Sequence, residues 1–293
     1  MITATSGFRV LFQPRKMLGL LVLIAGVALL VYQLVVLLQE RELVRYAFYA
    51  GMVAAVATAL GTLPAILAHK ISDRILDSLM GFGAGVMLAA SIFSLILPSV
   101  EIMAEQSDIA WIASGQVALA ILLGAMLMMV IEKLVPHEHF IKGNDSTTNT
   151  RLRRSWLFVL AIVLHNFPEG LAIGASYAAG EGHALAAGIA IQDMPEGFVV
   201  AMALIAAGYS RAFAITVGVL SGLAEPAMAI VGATLLDANS GLLPWGLAGA
   251  AGAMLFVISH EIIPESHRKG HEFFATNGLI LGFVMMLMLD TAL

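Results

Sequence analysis

The chain has 293 residues, of which 60% are hydrophobic and only 12% are charged, about half the charged fraction of an average soluble domain. It contains no cysteine, which excludes disulfides, thiolate metal sites and cysteine nucleophiles. The sequence has no phosphate-binding loop or nucleotide-binding motif, so we expect neither ATP-driven pumping within this chain nor a nucleic-acid partner. The composition indicates an all-α integral membrane protein surrounded by the lipid bilayer.

Nine apolar segments are each long enough to cross a hydrocarbon core of about 30 Å as a helix. They comprise residues 17–38, 46–69, 79–100, 112–131, 155–179, 184–207, 212–236, 242–264 and 274–292. The first is longer than a signal-peptide core and ends in Gln39, Glu40 and Arg41, so we expect a retained span. Residues 132–154 include the polar stretch GNDSTTNT and are predicted to form a flexible loop.

The basic residues separate between the two sides of the predicted membrane. With the N-terminus inside, the outer segments hold only Arg41 and Arg45. The inner segments hold Arg9, Arg15, Lys16, Lys70, Arg74, Lys133, Lys142, Arg151, Arg153, Arg154, Arg211, Arg268 and Lys269. Because Lys and Arg concentrate in cytoplasmic loops, this pattern predicts a cytoplasmic N-terminus and an extracytoplasmic C-terminus.

Two adjacent spans carry the same polar motif, HNFPEG at 165–170 and QDMPEG at 192–197. At 1.5 Å per residue, the two motifs lie about 18 Å and about 15 Å from opposite faces of the hydrocarbon core. Both are therefore near the midplane, and Glu225 of the seventh span lies at a similar depth. An ionisable residue at this depth costs about 2.5–3.5 kcal/mol on insertion scales and usually serves a function.

The spacing within each motif is that of a helical ligand set. His165 and Glu169 are four residues apart on one stripe of the helix, and Asn166 is three residues from the same glutamate. Glu169 thus borders both stripes, so its two oxygens can serve two ions, and the second motif repeats the arrangement. Each motif proline leaves a carbonyl without its helical donor and is expected to kink the helix, as in the broken helices of transporters.

The number of acidic residues inside the predicted spans indicates the charge of the ion that the site binds. Four acids fall inside the predicted spans, with no intramembrane Lys or Arg to balance them: Glu169, Asp193, Glu196 and Glu225. Two divalent cations would neutralise them, or one with two protons. Imidazole, carboxylate and amide ligands suit zinc, iron(II), manganese or cadmium. The alternative is a protonated, hydrogen-bonded network that only packs helices.

The pair of motifs on consecutive spans resembles the ZIP (Zrt/Irt-like protein) family of divalent metal transporters, and its bacterial branch most closely. The resemblance covers roughly 46–293, which implies an eight-helix transport core, with residues 1–45 as an extra transmembrane helix and connector. It implies uptake of zinc, or of cadmium, iron(II) or manganese, across a bacterial inner (plasma) membrane. It also implies a transporter rather than an enzyme, with no catalytic cofactor. A homodimer is an open alternative.

The resemblance further implies a binuclear metal site. One metal would be held by Met87, His165, Glu169, Gln192 and Glu196. The other would be held by Asn166, Glu169, Asp193, Glu196 and Glu225, with both glutamates bridging. Many relatives carry His-Asn where this chain has Gln192-Asp193, which leaves the metal preference open.

Other polar residues are candidates for the metal pathway, against the alternative of solvated helix ends or, for Ser94, of a serine bonded to its own helix backbone. They are Asp77, Ser94, Glu101, His260, Glu261, His137 and His139. A further pattern is the match of GVML at 85–88, followed by Pro98, with GAML at 252–255, followed by Pro264. Because the two spans run in opposite directions, the match predicts an inverted repeat relating spans two to four with seven to nine.

Two competing functions are considered. An intramembrane metalloprotease would need a general base beside the metal, as in His-Glu-x-x-His, and that motif does not occur. A selective channel would use the same ligands in passing, and the sequence does not separate it from a carrier.

Overall fold

The computed structural model describes residues 14–68, 71–134, 148–180 and 182–293, with the backbone alone for residues 14–16 and 148–163. These ranges fold into helices α1 Pro14–Glu40, α2 Glu42–Thr62, α3 Asp73–Ala90, α4 Leu97–Glu105, α5 Ala110–Leu134, α6 Thr148–Ala179, α7 His183–Ala206, α8 Arg211–Ser221, α9 Ala224–Asp237, α10 Leu243–Val257, α11 Ile263–His267 and α12 Glu272–Ala292. No strand occurs within these ranges.

The helices confirm the predicted fold class. Among the described residues, eight helical stretches are long and apolar enough to cross a membrane. They coincide with eight predicted spans, and α6 covers the remaining one. The flexible loop predicted at 132–154 was wrong at both ends, since α5 continues to Leu134 and α6 begins at Thr148. No glycine or proline interrupts residues 148–154, so the helix extends past its apolar part.

The helix contacts are related in pairs. α3 packs along α12 and α10 packs along α5, while α2 packs along α7 and α9 packs along α6. Exchanging α2 with α9, α3 with α10, α5 with α12 and α6 with α7 maps these contacts onto one another. The first three exchanges are those that the predicted inverted repeat of spans two to four and seven to nine requires, and the fourth exchanges the two motif helices.

The two segments that carry the short sequence repeat also share a helical irregularity. A π-helix over Ser91–Ile96 joins α3 to α4, and another over Ile258–Ile262 joins α10 to α11. The first begins six residues after Gly85 (91 − 85) and the second six after Gly252 (258 − 252). Each ends two residues before a proline. A backbone irregularity at matching positions supports the inverted repeat independently of the four-residue match.

Glycines allow two of these helix pairs to make close backbone contact. A side chain at Gly85 of α3 would collide with the Leu279 carbonyl of α12, and one at Gly252 of α10 would collide with the Ile121 carbonyl of α5. Small residues at such interfaces are typical of membrane helices, where van der Waals packing drives association. These contacts hold α3 firmly against α12.

Helix α1 differs from the rest because it packs mainly against α2. Its apolar side chains are exposed around the whole helix, as at Leu21 (60% exposed) and Leu30 (71% exposed). A helix that is apolar on all sides, without protein cover, needs lipid around it. The boundary between residues 1–45 and 46–293 stays a prediction, and α2 begins before it, at Glu42.

Candidate metal centre

The last residue of each motif lets the motif helices approach their neighbours. A Cβ at Gly170 of α6 would lie 2.5 Å from the backbone carbonyl oxygen of Glu225 on α9. A Cβ at Gly197 of α7 would collide with the carbonyl of Thr58 on α2. Since a side chain fits at neither position, the two glycines bring α2, α6, α7 and α9 together at the depth of the motifs.

The helix break in this region lies beside the motif helices rather than within them. Helices α6 and α7 continue through Pro168 and Pro195, so the predicted kinks stay predictions. The seventh predicted span is interrupted between α8 and α9. There the Glu225 N–H bonds to the Gly222 carbonyl at 3.2 Å, which leaves the Ser221 carbonyl available to a side chain.

Three carboxylates meet between α6 and α7. One ligand atom from each of Glu169, Asp193 and Glu196 lies within 4.8 Å of the other two. Glu169 and Asp193 are buried and Glu196 is half-buried. The Gln192 side-chain nitrogen donates to Glu169 Oε1 at 2.5 Å and to Asp193 Oδ1 at 3.1 Å. The structure therefore brings the acids of both motifs into one cluster, as the sequence predicted.

Glu225 joins this cluster from α9. It is buried, and Asp193 is one of its charged neighbours. The Asn166 side-chain nitrogen donates to Glu225 Oε1 at 3.1 Å and to the Ser221 carbonyl at 3.2 Å. The helix break thus fixes the orientation of a motif side chain.

The cluster contains oxygens without partners. Among the described residues, four of its buried atoms have no hydrogen bond: Asn166 Oδ1, Glu169 Oε2, Asp193 Oδ2 and Glu225 Oε2. Buried polar atoms are nearly always hydrogen-bonded, and buried charges are paired or coordinate metals. The charged neighbours of these carboxylates are other carboxylates and, for Glu196, His165. Three carboxylate oxygens and one amide oxygen are a donor set for divalent cations.

His165 lies at the edge of the cluster. Its Nε2 atom is 2.6 Å from Oε2 of Glu261 in the second π-helix, and Glu196 is also a charged neighbour. His165 therefore connects the mid-membrane acids with Glu261, which the sequence predicted only as a pathway residue.

Met87 lies on α3, on the side of this helix that faces the second motif. A Cβ at Gly83 would lie 3.4 Å from Gln192 Oε1, and residues four apart share one helical stripe. Met87 is 1% exposed and is one turn beyond Gly83. A ligand role for Met87 stays a prediction.

The pathway residues that the sequence assigned to the inner side are in contact with acids or histidines. Asp77 Oδ2 is 2.8 Å from His271 Nδ1, and His260 Nε2 is 3.1 Å from Glu132 Oε1. Asp77 is buried. The other predicted histidines on this side, at 137 and 139, lie outside the described residues.

Toward the end predicted to face outward, the Ser94 hydroxyl donates to Asp290 Oδ1 of α12 at 2.6 Å. Glu101 is exposed on α4, and none of the described contacts brings it to the centre. The count of four intramembrane acids was too low, because Glu261 falls within the predicted span 242–264 and Asp290 within the predicted span 274–292. The rule that an ionisable residue inside a span usually serves a function would have identified both.

Sequence reasoning missed Thr58 as well, and here no sequence signal could have found it. Its hydroxyl lies 3.3 Å from Glu225 Oε1. A threonine in an apolar helix usually bonds its own backbone, and only the tertiary structure brings this one to a carboxylate.

The fold and the centre define a multi-span membrane protein with a buried, carboxylate-rich cluster suited to metal ions. The profile of the family described as ZIP Zinc transporter matches residues 137–290. The chain is 45% identical to the zinc transporter GufA of Myxococcus xanthus, over 83% of this chain and 97% of that protein. It is 46% identical to the zinc transporter ZIPB of Bordetella bronchiseptica, over 96% of this chain and 93% of that protein. It is 31% identical to human zinc transporter ZIP11, over 80% of this chain and 94% of that protein.

The chain belongs to the ZIP family of transporters. The family that the motif pair predicted is therefore confirmed, and so is the prediction of a transport protein rather than an enzyme.

Proposed function

We propose that this chain carries zinc, or a closely related divalent transition metal, across a membrane through a binuclear site between α6, α7 and α9. The observation that carries the proposal is the set of four buried oxygens without partners, on Asn166, Glu169, Asp193 and Glu225. Divalent cations would satisfy these oxygens and balance the carboxylates. The relatives' names as zinc transporters support zinc as the substrate.

The assignment of ligands follows the two motifs. Glu169 and Glu196 would bridge the ions, with His165, Gln192 and Met87 at one metal. Asn166, Asp193 and Glu225 would complete the other. The Gln192 side-chain nitrogen now donates to Glu169 and Asp193, and so occupies a position beside these carboxylates that a cation could take. A bound metal would take over these carboxylates, and rotation of the amide would present Oε1 as a ligand.

We propose uptake toward the cytoplasm, with the N-terminus cytoplasmic, in a bacterial inner membrane. Asp290 and Ser94 would meet the ion on the outer side, where their contact lies on α12 and the first π-helix. His165 and Glu261 would pass it toward His260 and the inner end. The 2.6 Å contact of His165 with Glu261 supports these two residues as neighbouring steps on the route.

Uptake into proteoliposomes tests the function. Glu169→Gln keeps the shape of the side chain but removes a bridging charge, so zinc uptake should fall by more than the roughly 10–100-fold typical of changes beyond the ligands. Glu105→Gln is the matched control, since Glu105 is exposed at the end of α4. Competition by cadmium, iron(II) and manganese ranks the substrates. Equal zinc uptake by the two variants would overturn the proposal.

Cysteine labelling tests the orientation, because the chain contains no cysteine. Ser72 precedes α3 and Ser240 follows α9, and both are exposed. Ser72→Cys should react with a membrane-impermeant probe only from the cytoplasmic side, and Ser240→Cys only from the opposite side. The reverse pattern would make the proposed direction wrong.

A further inference from the structure

Thr58 lies where α2, α7 and the break between α8 and α9 meet. Its backbone carbonyl occupies the space that a side chain at Gly197 would need. Its Cβ lies 3.1 Å from where a Cβ of Gly222 would be. Thr58 is 2% exposed, so its hydroxyl must find its partner within the protein.

That partner is Glu225. The Thr58 hydroxyl lies 3.3 Å from Glu225 Oε1 and 3.2 Å from the Ala54 carbonyl. A hydroxyl has a single proton to donate. The Ala54 carbonyl already accepts the N–H of Thr58 within α2, whereas a carboxylate oxygen forms the stronger, charge-assisted bond. The Thr58 hydroxyl is therefore expected to donate to Glu225 Oε1 in preference to the Ala54 carbonyl.

The two oxygens of Glu225 have different environments. Oε1 accepts from Asn166 and Thr58, whereas Oε2 is buried without a partner. Two donors on one oxygen fix the rotation of the carboxylate about its last bond. Oε2 is then held toward the cluster before a metal binds.

We propose that Thr58 is a positioning residue for transport, which holds one oxygen of Glu225 so that the other is presented to the metal bound by Asn166 and Asp193. The inference rests on the proposed function. Groups that orient ligands typically change metal affinity by about 10–100-fold when they are removed. Thr58 acts on the second metal and leaves the first, at His165, unaffected.

Calorimetric zinc titration of the full-length protein in detergent tests this inference. Thr58→Val keeps the shape but removes the hydroxyl, and should weaken the second of two zinc-binding events about tenfold. Thr58→Ser keeps the hydroxyl and should restore most of the affinity. Thr62→Val is the matched control, because Thr62 is also buried on α2 and, among the described residues, its hydroxyl bonds to the Ala59 carbonyl at 2.7 Å rather than to a carboxylate.

A second background separates positioning from packing. In Glu225→Ala protein the carboxylate is gone, so adding Thr58→Val should weaken zinc binding no further. An equal loss in both backgrounds would assign Thr58 to packing and overturn the inference, as would unchanged affinity in Thr58→Val. If Thr58→Val does not fold, Thr58→Ala serves in the same cycle. Failure of Glu169→Gln to reduce transport would overturn the proposed function instead, so the two failures are distinguishable.

Discussion

Acidic residues occur in two regions of this protein, and their neighbours differ. At the predicted inner ends of the helices, four acids pair with basic residues: Asp73 with Lys269, Asp77 with His271, Glu132 with His260 and Glu265 with Arg268. At mid-membrane, Glu169, Asp193 and Glu225 face one another and keep unpaired oxygens.

The comparison separates two uses of a carboxylate. An acid that already has a basic hydrogen-bonding partner needs no further ligand, so its removal affects stability first. An acid surrounded by acids is costly to bury, and its arrangement makes physical sense only with a cation that arrives from outside. The partner of an acid is therefore a better guide to function than its burial alone.

The largest effect is expected at mid-membrane. Asp193→Ala should reduce zinc uptake about 100-fold or more, beyond the range for groups outside the ligand set, and should lower bound zinc from two ions per chain to one. Asp73→Ala at the inner end is the matched control and should leave both quantities near wild type. Uptake assays and equilibrium dialysis measure them. Similar losses from both substitutions would erase the distinction between the regions.

A smaller effect is expected at the buried inner pair. His271→Ala leaves the Asp77 carboxylate, whose side chain is 2% exposed, without its partner. An unsatisfied buried group costs about 1–3 kcal/mol, so the thermal unfolding midpoint in detergent should fall by several degrees. Adding Asp77→Ala should recover part of the loss, because both partners are then removed. A midpoint unchanged by His271→Ala would show that this pair does not stabilise the fold.

The smallest effect is expected at the exposed inner pair. Lys269 Nζ lies 2.5 Å from Asp73 Oδ1, but the Lys269 side chain is 37% exposed and the Asp73 side chain is 55% exposed. Such pairs contribute about 0–1 kcal/mol. Lys269→Ala should therefore shift the unfolding midpoint by less than His271→Ala, in the same assay. A larger midpoint shift for Lys269→Ala than for His271→Ala would mean that side-chain exposure does not determine how much each pair stabilises the fold.

The sequence alone predicted much of this protein, because polar residues are conspicuous in apolar spans. His165, Glu169 and Glu196 could be singled out in this way, and their similar depth in the two spans indicated that the motifs lie near one another. The sequence also predicted the helices, although not their ends. Helix α6 begins at Thr148, where the residues are polar and only the absence of a helix breaker marks the continuation.

The partners across helices could not be predicted. Thr58 and Glu225 are 167 positions apart, and Asp77 and His271 are 194 apart. Their contacts depend on how the helices pack, which periodicity within one helix does not specify. For the same reason the sequence placed Glu261 in a pathway but not beside His165.

The contact between α3 and α12 determines how this sequence can diverge. At Gly85 even one methyl group would meet the Leu279 carbonyl, so a substitution there must be accompanied by a shift of a whole helix. Leu21 on α1 faces no protein neighbour of that kind, and another apolar residue would serve as well. Apolar substitutions along the exposed part of α1 are therefore expected to cost little, whereas a substitution at Gly85 requires α3 or α12 to move.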